Sequence, residues 1–228
     1  MQNKIKIIII VLVSLNILFL NSCKKTEKLD YNVVLIVIDT VRADHLPFNG
    51  YRKNTAPFLN ELSKKSIVFK YAFSASSWTS PATASIFTSL YPFQHGVLMG
   101  MFLAIKHVKE INPNIKVNKI PAKITTITEV LKKNGYKTYG VSDNLNIGKY
   151  QGFTQGFDKF KTFGYKRAPV VNNEVLKWKN KILNSGKYFL FIQYMDPHAP
   201  YHRRAPWYRP RKDWKKDKIS AYDSEISY

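Results

Sequence analysis

The chain has 228 residues and a mass of 26.4 kDa, room for one large domain or two small ones. At 45% hydrophobic, 14% aromatic and 22% charged, it excludes disorder of the whole chain, and its single cysteine excludes an internal disulfide framework. Thirty-six Lys and Arg against fifteen Asp and Glu give a net charge of +21, which raises nucleic acid and anionic membrane as partners to be tested against the motifs.

At the N-terminus, Lys4 and Lys6 precede an apolar run over residues 7–20, broken by Ser14 and Asn16. The run is short for a membrane span of about 20 residues and, behind a positive segment, fits the apolar region of a secretory signal. Leu20-Asn21-Ser22-Cys23 resembles a bacterial lipobox, with Cys23 as the lipidated first residue of the mature chain. The alternative is an uncleaved anchor with an incidental cysteine. Residues 1–23 are read as the signal, 24–31 as a polar tether and 32–228 as a domain. The lipid would hold that domain at the membrane of a bacterial cell envelope, facing the periplasm or the exterior.

Residues 33–38 form a continuous β-branched run, the pattern of a strand buried on both faces of a parallel sheet, and it ends in Asp39-Thr40. Residues 55–65 are predicted as a helix capped by Thr55, with Phe58, Leu59 and Leu62 on one face. Residues 67–73 are predicted as an irregular strand. Ser80 and Pro81 predict a helix start, with Ser80 as N-cap and Pro81 at the first helical position. Its apolar side carries Ala84, Ile86, Phe87 and Leu90, and Tyr91-Pro92 stops it.

Residues 96–122 have weak periodicity and read as a surface excursion. A helix over 126–134 closed by Gly135, a strand over 136–142, a helix over 172–184 closed by Gly186 and a strand over 188–195 follow. The last strand leads into Asp196-Pro197-His198. Residues 202–216 are basic and aromatic and read as a solvated loop that could touch lipid headgroups or an anionic substrate. Alternating strands and helices predict an α/β fold with a largely parallel sheet, whose sites form at the carboxyl ends of the strands.

Four segments together resemble the sulfatase family, within the alkaline phosphatase superfamily. The first runs through Ile38-Asp39-Thr40-Val41-Arg42-Ala43-Asp44-His45, with Gly50-Tyr51 and Thr55-Ala56-Pro57 behind it. The second is Trp78-Thr79-Ser80-Pro81-Ala82-Thr83-Ala84-Ser85, with Tyr91-Pro92 and His95-Gly96. The third is Asn134-Gly135-Tyr136-Lys137-Thr138, then Gly152-Phe153 and Gly156-Phe157-Asp158. The fourth is Tyr194-Met195-Asp196-Pro197-His198-Ala199-Pro200-Tyr201. The resemblance implies an alkaline-phosphatase-like three-layer α/β/α fold and hydrolysis of an anionic sulfuric or phosphoric ester. It implies Thr79 as the nucleophile, which would also touch the metal, and Asp39 as a metal ligand. His198 would stand near the leaving group, as proton donor or hydrogen-bond partner. A divalent cation is implied: Ca, Mg or Mn for hard oxygen ligands, Zn with added histidine. His95 matches a family position but reads as helix-end packing, and His45, His107 and His202 read as solvated surface residues.

The departures are as informative. Sulfatases proper carry a cysteine or serine that becomes formylglycine, followed by a proline and an arginine; here the set is Thr79, Pro81 and Thr83, and oxidising threonine would give a ketone. The second acid of the first motif is Thr40, and the family's Lys and His pair falls on Asp143-Asn144-Leu145-Asn146 and is absent. An unmodified threonine resembles instead the phosphoglycerol and phosphoethanolamine transferases and phosphodiesterases of the superfamily, which pass through phospho-threonine. No Asp-His-Gly, the later metal-ligand motif, occurs in the sequence. The expectation is therefore a fold lacking its C-terminal part, inactive alone or completed by a partner chain. A non-catalytic lipoprotein that keeps the fold is the alternative. With no helix-turn-helix, zinc-finger or RNA-binding signature, nucleic acid is not expected as a partner.

Overall fold

In the computed structural model, residues 31–101 and 119–228 are described. The chain divides into residues 1–31 and 32–228, and the fold is that of the second unit. Cys23, the signal and most of the 96–122 excursion lie outside the described residues. Among the described residues, no helix is long and apolar enough to cross a membrane.

Four strands, β1 (Val33–Ile38), β2 (Lys137–Ser142), β3 (Lys159–Thr162) and β4 (Tyr188–Tyr194), form one parallel sheet in the order β1-β4-β2-β3. Alternation along the strands sends side chains to two cores. Phe189 and Phe191 of β4, with Val33, Leu35 and Val37 of β1, face one side, where they meet Ala84 and Phe87 of helix α2 (Thr79–Thr88) and Leu131 of α4 (Ile127–Lys133). Leu190 and Ile192, with Tyr139 and Val141 of β2, face the other, against Val171, Trp178 and Ile182 of α5 (Ala168–Leu183). This is the expected α/β fold with helices on both faces.

Local chemistry fixes several of these elements. Thr126 caps α4 by accepting from the Glu129 amide at 3.2 Å, while Glu129 accepts from the Thr126 amide at 2.9 Å, a reciprocal cap. Gly135 then turns the chain at φ 85°, a left-handed value that glycine adopts without strain. Gly140, inside β2, lets rings close over the sheet: a Cβ there would lie 2.4 Å from the Phe160 ring and 2.9 Å from Phe157.

The structure corrects several expectations. Helix α1 is Pro57–Ser63 with Ala56 as its N-cap, because the Thr55 hydroxyl is spent on the His45 carbonyl at 2.5 Å. Its supposed buried face is largely solvated, with Phe58 and Leu62 exposed. Residues 67–73 form no strand; Ile67, Phe69, Tyr71 and Phe73 alternate as a strand would, but no neighbouring strand pairs with them among the described residues. Helix α2 starts two residues earlier than expected, with Trp78 as N-cap and Pro81 in the third position, where its missing amide costs no helical bond. Ile86, placed on its apolar side, is exposed.

Helix α5 begins at Ala168, four residues before the expected start. Strand β3 and the last helix, α6 (Trp214–Ser227), were not foreseen. A four-residue α3 (Pro92–His95) follows α2.

The basic stretch before α6 is not a free loop. Arg203 pairs with Asp217 at 2.9 Å and Arg204 with the buried Glu225 at 2.8 Å, while Ser220 Oγ donates to the Arg209 carbonyl at 2.6 Å.

Candidate active site

The carboxyl ends of β1 and β4 lie side by side, and the ladder continues one residue beyond β1, with the Asp39 amide donating to the Tyr194 carbonyl at 2.9 Å. Next to it the Asp143 amide donates to the Gln193 carbonyl at 3.1 Å, so the ends of three strands share one edge. Thr40 turns the chain away at φ 58°, a left-handed conformation costly for a β-branched residue, and its hydroxyl donates to the Asp39 carbonyl at 2.7 Å. Tyr222 of α6 clasps this turn: its hydroxyl donates to the Thr40 carbonyl at 2.6 Å and accepts from the Arg42 amide at 2.8 Å.

Asp39 is buried. Its carboxylate accepts from Gln193 Nε2 at 3.4 Å, and the Thr79 hydroxyl and the Asn144 side chain stand near it. Gln193 is itself fully buried and accepts from Ser142 Oγ at 2.8 Å, so a polar chain inside the sheet fixes its amide. Burial pushes the Asp39 carboxyl above the usual carboxylate range, and the Thr79 hydroxyl, the His198 ring and Asn144 offset this only in part.

Thr79 is the first residue of α2, where the opening amides have no partner within the helix and favour an anion. Thr79 and Asp39 line a cleft of about 630 Å³ together with Thr40, Trp78, Asn146 and His198. His198 Nδ1 lies 2.7 Å from the Ala199 carbonyl, an acceptor only, so Nδ1 carries the proton and Nε2 is left for the cleft. The Tyr165 ring stands edge-on to His198, centroids 5.7 Å apart.

The three predicted site residues Asp39, Thr79 and His198 are thus brought to one cleft. His95 is fully buried; it accepts from the Val97 amide at Nδ1 (3.1 Å) and meets Ser85 Oγ at Nε2 (3.1 Å), which matches its reading as packing at a helix end. His45 corrects its reading as a solvated residue: Nδ1 meets the buried Asp223 at 2.7 Å, and its ring packs on Tyr51 and Tyr222. The pairing comes from α6, which the sequence did not announce.

Asn144 and Asn146 were also missed as site residues. They stand where the resemblance asks for Lys and His, and the run of Asp and Asn directly after a buried strand was the available signal. Asn146 lines the cleft, and both side chains are neutral amides.

A hard divalent cation takes six or more oxygen ligands. The cleft lining offers one carboxylate, Asp39, beside neutral hydroxyls that include Thr79. Among the described residues no group of three His, Cys, Asp or Glu side chains could hold a metal. These donors do not by themselves fit such an ion.

The chain is 27% identical over 187 residues to the ulvan-active sulfatase of Formosa agariphila, covering 76% of this chain and 32% of that protein. It superposes on the C-terminal periplasmic domain of EcEptC from Escherichia coli, solved with Zn, with a TM-score of 0.60 at 16% identity, covering 90% of this chain and 57% of that one. On the phosphonate monoester hydrolase of Agrobacterium radiobacter the TM-score is 0.57 at 14% identity, covering 86% and 55%. At these identities the structural likeness shows the fold. The chain therefore spans about a third of its curated relative and about half of each solved neighbour. The family model described as Sulfatase matches residues 31–228, and the chain belongs to the sulfatase family.

Proposed function

We propose that the chain carries the nucleophile side of a sulfuric or phosphoric ester hydrolase site. The observation that carries this reading is that Thr79, at the start of α2, the buried Asp39 carboxylate and His198 line one cleft. Thr79 Oγ gives its proton to the Asp39 carboxylate and attacks the sulfur or phosphorus atom, and the bond to the ester oxygen breaks. His198, as the imidazolium, gives that oxygen a proton from Nε2. Water then cleaves the esterified threonine and regenerates the hydroxyl. Family members are typically metal-dependent, and Asp39 and Thr79 would hold a divalent cation once further ligands came from outside the described residues.

The nucleophile favours phosphoryl over sulfuryl transfer, because a threonine beside Thr83 offers no route to formylglycine. In this reading Cys23 anchors the domain to the cell envelope, residues 24–31 tether it, and a complementing chain or segment supplies the remaining ligands. The test exposes the chain, with Mg, Ca, Mn or Zn, to an activated aryl phosphodiester and an aryl sulfate side by side, and reads the tryptic peptide bearing Thr79 by mass spectrometry. The expected result is a phosphoryl adduct on Thr79 that Thr79→Ala abolishes. A sulfuryl adduct without a phosphoryl one overturns the phosphoryl preference, and an adduct elsewhere overturns Thr79.

A further inference from the structure

The segment between β3 and α5 runs in a backbone form that its side chains do not favour. Tyr165 stands at φ 54°, and Arg167 at φ 78° and ψ 161°, positive values that a bulky residue rarely adopts. Such a conformation persists only where its surroundings hold it. Here the hold comes from two buried carboxylates at the ends of neighbouring strands.

Asp143, fully buried just after β2, is engaged at every polar atom. Its amide donates to the Gln193 carbonyl and its carbonyl accepts from the Tyr165 amide, both at 3.1 Å. Oδ1 accepts from the Lys166 amide at 2.7 Å and Oδ2 from the Arg167 amide at 2.9 Å. The next amide, of Ala168 at the start of α5, donates to Asp196 Oδ1 at 3.2 Å. Four successive amides, 165 to 168, therefore end on Asp143 and Asp196. The Arg167 guanidinium also reaches the buried Glu225 of α6, at 3.5 Å. A carboxylate at the end of this sheet invites the role of metal ligand, but both Asp143 oxygens are spent on amides.

What the held segment presents is Tyr165. Its ring stands edge-on to His198, with centroids 5.7 Å apart and planes at 69°. His198 is otherwise fixed within its own turn: its amide donates to the Met195 carbonyl at 2.9 Å and Nδ1 to the Ala199 carbonyl at 2.7 Å. Those bonds set the tautomer, and the Tyr165 ring supplies the aromatic wall beside the imidazole.

We infer that Asp143 is a positioning residue for His198: it holds residues 165–167 in their strained form, and through them the Tyr165 ring against the imidazole, so that Nε2 stays directed to the cleft. The inference rests on the proposed role of His198 as proton donor to the leaving oxygen. Asparagine cannot replace Asp143 here, because its one acceptor oxygen would face two amides that each need an acceptor.

The experiment takes two readouts from the full chain. The first is NMR of the aromatic rings. The parent should show nuclear Overhauser contacts between Tyr165 and His198 that are lost in folded Asp143→Asn, while the ring signals of His95, buried at the end of α3, stay in place. The second is the initial rate of adduct formation on Thr79 from a nitrophenyl phosphodiester and from an unsubstituted phenyl one. Nitrophenolate leaves without a proton, whereas the poorer leaving group depends on one. Asp143→Asn should slow the phenyl ester about tenfold or more and the nitrophenyl ester less than about twofold. Tyr165→Leu, at a half-exposed position that keeps the Asp143 bonds to backbone amides, should show the same split, which tests the inference even where Asp143→Asn does not fold. Ring contacts retained in folded Asp143→Asn, a loss shared with His95, or equal slowing of both esters overturns the inference. An adduct absent from the parent overturns Thr79 as nucleophile instead, and the ring contacts still decide the role of Asp143.

Discussion

Strands β1 and β4 pair residue for residue, Val33 with Phe189 through Ile38 with Tyr194; β1 reads as a continuous apolar run and β4 as one broken by Gln193. Their surroundings differ. In β4, five of seven residues are buried, with helices covering both faces. In β1, Val33, Leu35 and Val37 pack inward while Val34 and Ile36 are 49% and 53% exposed, since α5 covers β4 and β2 but leaves that face of β1 bare among the described residues. An apolar run records that a strand asks for cover on both faces; it does not say that the cover is present.

The sharpest way to break this comparison is to truncate one side chain on each strand. Phe191→Ala in β4 removes a ring packed edge-on against Phe87 at 5.0 Å and should cost ~3–5 kcal/mol of stability in a urea titration. Ile36→Ala in β1 should stay within about 0.5 kcal/mol of the parent. Equal losses would mean that the bare face of β1 is covered in solution.

A smaller effect is expected at Gly140, where the covered sheet leaves no room for a Cβ against Phe160 and Phe157. Gly140→Ala should cost ~1–3 kcal/mol, read by thermal melting, through displacement of the two rings.

The smallest effect belongs to the surface clamp. Hydrogen bonds from Tyr208 and Arg203 lower the Asp217 carboxyl from 3.8 to about 2. A carboxyl lowered on folding lends stability above its unfolded value, and that stability is lost as pH falls towards about 2. Tryptophan emission from the clamp should therefore change across that acid window, and Asp217→Asn should abolish the change while leaving the β4 core intact.

How far the sequence could be read follows the same division. β1, β2, β4 and the helices beneath them were legible because burial writes itself as apolar pattern, and the cleft was legible through the family resemblance, which singled out Asp39, Thr79 and His198; their position near element ends was by itself a weak signal. What escaped was held by polar contacts between distant residues. Helix α6 has no clear apolar stripe; its buried face is largely polar, with Ser220, Asp223, Ser224 and Glu225 among it, and these bond to His45, Tyr51 and the 202–209 segment. Strand β3 is four residues long, with two lysines alternating with Phe160 and Thr162, and its place was set by Gly140 rather than by its own composition. Residues 67–73 failed the other way, carrying a strand's alternation without a neighbour to pair with.

The central proposal is that Thr79 is a nucleophile in a cleft whose described residues supply one carboxylate and do not complete an ester-hydrolysing site. The most direct measurement is steady-state hydrolysis of an aryl phosphodiester and an aryl sulfate by the purified chain across Mg, Ca, Mn and Zn, beside Thr79→Ala. The account predicts turnover at the Thr79→Ala background with every metal. Sustained hydrolysis of either ester that Thr79→Ala abolishes would contradict it.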